Sequence, residues 1–213
     1  MKTDPFATNT GLILHDAKQQ LHATAGEIVL LTGAVGSGKT RWLQRLAGLI
    51  DLPPTTTATM NGKNLDQQQG SVRMLFDRQP QLWLGQHVNE ELYFGLKQIP
   101  DTAMLTSTLS TWGLSDIELT TETGALNRLQ GLRLNLAAIT LATPQLALLD
   151  CPTDALPEQD AAEICDLITN WATRSDTTVV VTSNRWHDWQ MVASQHWQIC
   201  SADGLPQRGD KQT

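Results

Sequence analysis

Eight consecutive residues form the clearest chemical pattern in this sequence. They read GAVGSGKT and match the spacing G-x-x-x-x-G-K-[ST] in full: Gly33, Ala34, Val35, Gly36, Ser37, Gly38, Lys39 and Thr40. Glycines let a backbone curl until its N–H groups converge on phosphate oxygens, while the lysine reaches the terminal phosphates and the hydroxyl can bind Mg²⁺. The pattern predicts that all eight residues hold the phosphates of a nucleotide.

An acidic residue at the end of another apolar run can complete this site. Residues 146–150 read LALLD, a short buried-strand pattern that ends at Asp150. A phosphate loop needs an acidic partner at the end of a neighbouring strand, so Thr40 and Asp150 are the predicted Mg²⁺ ligands. An aspartate that only caps the strand is the alternative.

The elements around these residues alternate along the chain. Apolar runs bounded by turn residues predict strands, and apolar residues at helical spacing predict helices. Strands are predicted at 26–33, 71–76, 145–150 and 177–183, and helices at 40–50, 129–142 and 161–173, with helical character from Pro80 to about Ile117. This order predicts an α/β fold with a parallel sheet. The 213 residues read as one domain with a loose tail over about 201–213.

Composition limits the function classes that remain. The formal charge of −7 makes a nucleic-acid partner improbable. No apolar run reaches the roughly 18 residues of a membrane span, and the first ten residues lack a secretory pattern. Three cysteines, Cys151, Cys165 and Cys200, have no disulfide or zinc spacing. The sequence therefore predicts a cytoplasmic protein.

Three segments together resemble the ATP-binding cassette (ABC) ATPases. These are the phosphate-loop segment 26–49, the segment LFDRQPQLWLGQHVNEELYFGL (75–96) and the segment LNRLQGLRLNLAAITLATPQLALLDCPTDAL (126–156). The second is most similar to cobalt and energy-coupling-factor cassettes. The resemblance implies a P-loop NTPase with a mainly parallel sheet core, an N-terminal antiparallel β part and a helical subdomain over about 80–125.

Several positions depart from the family pattern. The family signature LSGGQ aligns with Leu126, Asn127, Arg128, Leu129 and Gln130. Cys151 occupies the place of the catalytic glutamate, Ser183 that of the switch histidine, and Pro157 that of the D-loop aspartate. The Q-loop glutamine, a metal-side residue in the family, falls on Asp77 by spacing or on Gln79 if the loop is shifted by two residues. A neutral thiol is a poor general base, so hydrolysis is expected to be weak or absent.

The resemblance also implies the partners of the chain. It implies an ATP-binding subunit that binds Mg²⁺ and ATP, forms a homodimer or a heterodimer with another cassette, and works with a membrane permease at the inner face of the membrane. Phe6 is the candidate for stacking on adenine. A non-transport ATP-dependent scaffold or regulator is the alternative, since it explains the lost hydrolytic residues more directly.

Other chemical groups have ordinary structural explanations. Asp154, Glu158 and Asp160 are interpreted as a solvated acidic helix start, and His187 as a surface residue. Trp83 is a predicted interface residue, whereas Tyr93 and Phe94 are predicted in the core of the helical subdomain. The aromatic residues Trp186, Trp189 and Trp197 predict a helix that packs on the sheet.

Overall fold

Buried apolar strands form the centre of the molecule. The computed structural model describes residues 11–77, 82–201 and 204–209. Its strands are β1 (Gly11–His15), β2 (Gln20–Thr24), β3 (Ile28–Thr32), β4 (Thr57–Met60), β5 (Lys63–Asn64), β6 (Val72–Leu75), β7 (Leu146–Asp150), β8 (Thr178–Thr182), β9 (Gln195–Gln198) and β10 (Gln207–Arg208). Its α-helices are α1 (Lys39–Leu46), α2 (Val88–Tyr93), α3 (Thr102–Thr111), α4 (Arg128–Leu141), α5 (Glu158–Ser175) and α6 (His187–Gln190), and 3₁₀ helices cover Leu65–Ser71 and Thr123–Ala125.

The central sheet has the strand order β10-β9-β3-β8-β7-β6. β9, β3, β8, β7 and β6 are parallel to one another, and β10 runs antiparallel to β9. All residues of β7 and β8 are buried, as expected for parallel strands with helices on both faces. The predicted α/β fold with a mainly parallel core is confirmed.

Two apolar cores lie on opposite faces of this sheet. One contains side chains of α4 and α5, where Trp112 and Trp171 meet edge to face with ring centroids 6.1 Å apart. The other contains Trp42 of α1 together with side chains of β1, β2 and β4. Alternate residues of β3 serve the two cores: Leu30 faces the first, and Val29 and Leu31 face the second.

The N-terminal antiparallel part is a second sheet with the order β2-β1-β4-β5. Leu12 of β1 pairs with Ala23 of β2 and with Met60 of β4. These three side chains are buried in the same core as Trp42. The second sheet therefore packs on the α1 side of the central sheet, and the antiparallel N-terminal part that the resemblance implies is confirmed.

Short helices occupy the stretch that was predicted to form a helical subdomain. Asp101 caps α3 by accepting a hydrogen bond from the Met104 N–H at 2.8 Å. Val88 of α2 and Leu105 and Leu109 of α3 belong to the same core as α4. Helices α2 and α3 are therefore fixed to the central part of the molecule through α4.

The C-terminal part differs from the sequence prediction in two ways. Trp197 lies in strand β9 rather than in a helix, while Trp189 lies in α6. Gln207–Arg208, within the stretch predicted to be a loose tail, pair with β9. The segment QHWQ lacks an apolar strand pattern, and its polar residues find tertiary partners instead. The His196 Nε2 lies 2.7 Å from the Thr32 hydroxyl, for example.

Candidate functional site

The predicted phosphate loop connects β3 to the start of α1. Gly36 and Gly38 have φ angles of +79° and +98°, a left-handed backbone that favours glycine. Gly33 is required for a different reason, since a Cβ atom there would lie 2.4 Å from the Ser37 Oγ. The loop is therefore a tight turn whose shape depends on its glycines, and α1 begins directly after it at Lys39.

The Lys39 side chain lies over this turn. Its Nζ donates hydrogen bonds to the carbonyl oxygens of Gly33 at 3.0 Å and Ala34 at 3.4 Å. The Ser37 hydroxyl is buried, and no group in the described part of the chain exchanges a hydrogen bond with it. An ammonium group, an unpaired hydroxyl and a helix N-terminus at one turn fit a phosphate group.

Asp150 ends β7 and lies beside the phosphate loop. Its buried carboxylate accepts a hydrogen bond from the Thr40 hydroxyl at 3.1 Å and another from the Thr182 hydroxyl at 2.7 Å. The structure thus brings together the two predicted Mg²⁺ ligands. Thr182 was not predicted, although its place at the end of a neighbouring parallel strand was a usable signal.

The donor set fits Mg²⁺ only when phosphate oxygens complete it. Within the described residues, no group of three or more histidine, cysteine or acidic side chains could hold a metal ion. Mg²⁺ in nucleotide sites uses one or two protein oxygens, phosphate oxygens and water. Thr40 and Asp150 would be the protein ligands here.

Cys151 follows Asp150 in a left-handed conformation, with φ +49°. Its Sγ lies 3.7 Å from the Thr182 Oγ1 and 3.8 Å from the Asn184 Nδ2. Burial raises the pKa of the thiol from 9.0 to about 12; a hydrogen bond with Thr182 opposes this, and the carboxylates of Asp154 and Asp150 add to it. The side chain of Cys151, which the sequence predicts at the position of the catalytic glutamate, is therefore a neutral thiol at physiological pH.

Ser183 lies at the end of β8 and donates a hydrogen bond to Asp154. The distance between the Ser183 Oγ and the Asp154 Oδ1 is 2.6 Å, and the backbone and side-chain nitrogens of Asn184 bond the same carboxylate. Burial favours a higher pKa for Asp154, but the hydrogen bonds from Ser183 and Asn184 outweigh it and leave the pKa lowered. Asp154 was interpreted as part of a solvated acidic helix start, which was wrong for this residue, because α5 begins only at Glu158 and the half-buried Asp154 carboxylate is bonded within the chain.

Of the two candidates for the Q-loop position, Asp77 and Gln79, the structure describes only Asp77. Asp77 follows β6, and desolvation raises the pKa of its carboxyl; the carboxylates of Asp150 and Asp154 raise it further, while Arg128 opposes them. Gln79 lies outside the described residues, as does Phe6, the predicted adenine-stacking residue. The structure therefore places only Asp77 beside the acidic groups of the site.

The segment that aligns with the family signature forms the start of α4. Asn127 caps the helix: its Oδ1 accepts from the Gln130 N–H at 2.9 Å, while the Gln130 Oε1 accepts from the Asn127 N–H at 3.0 Å. Leu126 and Leu129 pack against the core, and Arg128 is exposed. This capping box was readable as N-x-x-Q before an amphipathic run. It uses the side chains of Asn127 and Gln130 within the chain itself.

A groove of about 400 Å³ runs from the end of β6 along α4 to Asp150 and Cys151. Four large apolar side chains on its lining are exposed: Phe76, Leu82, Leu84 and Phe94. Phe94 was predicted in the core, but 59% of its surface is exposed, because the chain leaves the helical conformation at this residue. Tyr93 and Trp83 are half-buried and pack against the core. Exposed apolar side chains gathered in one groove are typical of an interaction surface.

The comparisons with known proteins agree with this architecture. Residues 17–154, more than half of the chain, match the family model described as ABC transporter. The energy-coupling factor transporter ATP-binding protein EcfA1 of Lactiplantibacillus plantarum is 28% identical over 94% of this chain and 72% of its own length. The cytochrome c biogenesis ATP-binding export protein CcmA of Pseudomonas fluorescens is 28% identical over 85% of this chain and 88% of its own length.

A solved structure shows the same fold. The structure of cbiO1 from Clostridium perfringens, described as part of the ABC transporter complex cbiONQ, superposes with a TM-score of 0.79 at 15% identity, covering 94% of this chain and 89% of the other. In the described part of this chain, no helix is long and apolar enough to cross a membrane. The order of the phosphate loop, the helices of residues 88–141 and the strand that ends at Asp150, together with the family match, establishes that the chain belongs to the ABC transporter family as an ATP-binding domain.

Proposed function

We propose that this chain is the ATP-binding subunit of an ABC-type membrane transporter, and that it binds Mg-ATP but hydrolyses it slowly or not at all. The single observation on which the proposal depends is the contrast at one edge of the sheet. The phosphate loop keeps every residue that its chemistry needs, whereas the position of the catalytic glutamate holds the neutral thiol of Cys151.

Nucleotide binding is supported by the geometry of the phosphate loop. In the proposed complex, the Lys39 ammonium leaves its carbonyl partners and neutralises the terminal phosphates. The backbone N–H groups of the loop face phosphate oxygens, except that of Ser37, which donates to the Ala34 carbonyl at 3.0 Å. Thr40 and Asp150 would hold Mg²⁺, and the bound ion would neutralise phosphate charge. Thr182 keeps the Asp150 carboxylate in a fixed orientation through its 2.7 Å hydrogen bond.

Impaired hydrolysis is supported by the chemistry of Cys151 and Ser183, the residues proposed to lie where a water molecule would be activated. A general base must accept a proton, and a thiol with a pKa of about 12 has little thiolate at neutral pH to do so. The Ser183 hydroxyl already donates to Asp154 and does not point a free donor at a phosphate. The Asp154 carboxylate accepts from both Ser183 and Asn184, so it is a poor substitute base.

A membrane permease is the proposed partner. The exposed apolar side chains of the groove along α4 suit the apolar face of a docking segment, and aromatic residues are frequent anchors of protein interfaces. The similarity to energy-coupling factor transporter ATP-binding proteins supports the same assignment. The subunit would then lie at the inner face of the membrane and pair with a second copy or with another cassette.

Binding and turnover are tested separately on the purified chain. We expect titration calorimetry to detect ATP binding in the presence of Mg²⁺. In a continuous phosphate-release assay, we expect turnover far below the roughly 1–10³ s⁻¹ of ordinary enzymes. The assay is repeated on the complex isolated with its partners. Turnover within the ordinary range in either sample would refute the hydrolysis part of the proposal.

The partner is tested by isolating the tagged chain from membranes in mild detergent. A stoichiometric membrane protein, with or without a second cassette, is the expected result. Recovery of soluble partners alone would favour the alternative function, an ATP-loaded scaffold or regulator, which is motivated by the thiol of Cys151 and the internal bonding of Ser183. A matched sample with Phe94→Ser tests whether the groove holds the membrane protein.

A further inference from the structure

Two loops at the carboxyl ends of neighbouring strands are joined side chain to side chain. We call residues 151–156 the β7 loop and residues 183–186 the β8 loop. The Arg185 Nη1 donates to the Leu156 carbonyl at 2.6 Å. Just after the β8 loop, the Trp189 Nε1 donates to the Thr153 hydroxyl at 3.1 Å. These two hydrogen bonds connect the β7 loop to the β8 loop and to the start of α6.

Asp154 makes the central connection. Its Oδ1 accepts from the Ser183 hydroxyl at 2.6 Å, and its Oδ2 accepts from the Asn184 backbone N–H at 2.9 Å and from the Asn184 Nδ2 at 2.7 Å. The Ser183 Oγ in turn accepts from the Arg185 N–H at 2.9 Å. A single carboxylate therefore orders three consecutive residues of the β8 loop.

The negative charge of Asp154 strengthens the hydrogen bonds that it accepts from the β8 loop. Hydrogen bonds to an ionised group are shorter and stronger than neutral ones, and Ser183, at the root of the β8 loop, is almost entirely buried. A loop held by such bonds within its own chain does not need a ligand to become ordered. Residues of the β8 loop are therefore in place before any nucleotide arrives.

We propose that Asp154 is a positioning residue that holds the β8 loop in one conformation whether the nucleotide site is empty or contains ADP or ATP. The β8 loop of this chain then does not report the terminal phosphate of ATP. The first half of this inference concerns the chain alone. The second half, on insensitivity to nucleotide, rests on the proposed nucleotide binding.

The first half is tested by amide hydrogen exchange on the nucleotide-free chain. The amides of Asn184 and Arg185 are expected to exchange at least about tenfold faster in Asp154→Ala than in the wild type, because both lose their ordered acceptors. Asp154→Asn, which keeps the size and one acceptor oxygen, is expected to lie between them. Asp166→Ala, at an exposed acid on α5, is the matched control and leaves both rates unchanged.

Exchange of the β8 amides shows whether each variant is folded, since Val180 and Val181 are fully buried in the central sheet. Should Asp154→Ala unfold, Asp154→Asn and Ser183→Ala decide the question. Equal exchange of residues 184 and 185 in the wild type and in folded Asp154 variants would overturn the inference.

The second half uses the same measurement with ADP and with a slowly hydrolysed ATP analogue, both with Mg²⁺. Protection of the phosphate-loop amides at Gly36, Gly38 and Lys39 reports binding itself. With binding established, exchange at residues 184 and 185 is expected to differ by less than about twofold among the empty, ADP and ATP-analogue states. A tenfold slowing with the ATP analogue alone would contradict the inference.

Ser183→Ala tests whether the Ser183 hydroxyl contacts the terminal phosphate of ATP or serves only the Asp154 carboxylate. The ratio of the dissociation constants for ADP and for the ATP analogue is expected to stay within about twofold of the wild-type ratio, because the hydroxyl serves Asp154 and not the phosphate. A selective tenfold loss of ATP-analogue affinity would overturn the inference. If neither nucleotide protects the phosphate loop, the proposed function fails, and the nucleotide-free comparison alone decides the role of Asp154.

Discussion

The phosphate loop and the loops after β7 and β8 lie at the same edge of the central sheet, but their polar groups are used differently. In the phosphate loop, the Ser37 hydroxyl is buried without a partner among the residues that the structure describes, and the Lys39 ammonium donates to two carbonyl groups. After β7 and β8, the hydroxyl of Ser183 and the carboxylate of Asp154 bond each other. One region is left ready for a ligand, and the other is internally satisfied.

In the proposed function, this difference separates nucleotide binding from hydrolysis, because the two depend on different groups of the same site. Phosphate binding depends on backbone shape and one cation, which eight consecutive residues supply. Water activation depends on a base and a donor at the ends of two strands, and the residues proposed for these positions are the protonated thiol of Cys151 and the bonded hydroxyl of Ser183. Variants of the phosphate loop and of the residues after β7 test this difference.

The largest effect is expected from Lys39→Ala. Removing the only phosphate-facing ammonium of the loop should weaken ATP binding by at least about 100-fold, as measured by calorimetry. Arg41→Ala, at an exposed cation two residues further along α1, is the matched control and should bind ATP like the wild type. Unchanged affinity in Lys39→Ala would show that the loop does not hold the nucleotide.

A gain of activity is expected from Cys151→Glu. A carboxylate at this position restores a general base, which contributes roughly 10²–10⁴-fold in enzymes. Because Ser183 remains bonded to Asp154, we expect only about a tenfold rise in phosphate release. Cys151→Gln has the same shape without the charge and should stay at the wild-type rate. Equal rates in the two variants would mean that the missing base is not the limiting defect.

The state of the thiol itself is testable by alkylation. Since the raised pKa of Cys151 keeps the thiol protonated, iodoacetamide should modify it at least about tenfold more slowly than the exposed Cys200 at pH 8. Because the pKa of Cys151 is about 12 in the folded state and 9.0 in the unfolded state, the folded chain keeps its proton at pH values where the unfolded chain has lost it. The free energy of unfolding therefore falls as the pH rises above 9.0 towards the folded-state pKa. Peptide mass spectrometry over a time course measures the alkylation rates of Cys151 and Cys200, and comparable rates would contradict a half-buried, neutral thiol at Cys151.

The smallest effect is expected on the free energy of unfolding at acidic pH, through the Asp154 carboxylate. Its lowered pKa stabilises the folded state above the unfolded value of 3.8, and this contribution disappears as the pH falls through the still lower folded-state pKa. Because the group is only half-buried, Asp154→Asn should cost less than about 1 kcal/mol at pH 7 and still less at pH 3. Urea unfolding at both pH values measures this, with Asp166→Asn as control. A cost that grows on acidification would have the wrong sign.

Prediction from the sequence succeeded where one local pattern was sufficient. The strands β3, β7 and β8 and the helices α1, α4 and α5 have long apolar patterns, and each was predicted within a few residues. Strand β9 was missed because QHWQ has no such pattern and is stabilised by partners such as Thr32, distant in sequence. The exposure of Phe94 was missed because it depends on where α2 ends, which periodicity does not fix.

The amino-acid sequence alone was sufficient to predict the phosphate loop and the α/β order, because each is a matter of residue type at a fixed spacing; the proposed roles of the Cys151 and Ser183 positions come from the same kind of pattern. Only the tertiary structure decided how the substituted groups are used. The bond between Asp154 and Ser183 joins residues 29 positions apart, and the 2.7 Å bond from Thr182 to Asp150 joins residues 32 positions apart. Such pairs exist because parallel strands bring their carboxyl ends to one edge of the sheet, and hydrogen bonds are decided by distance there rather than by separation along the chain.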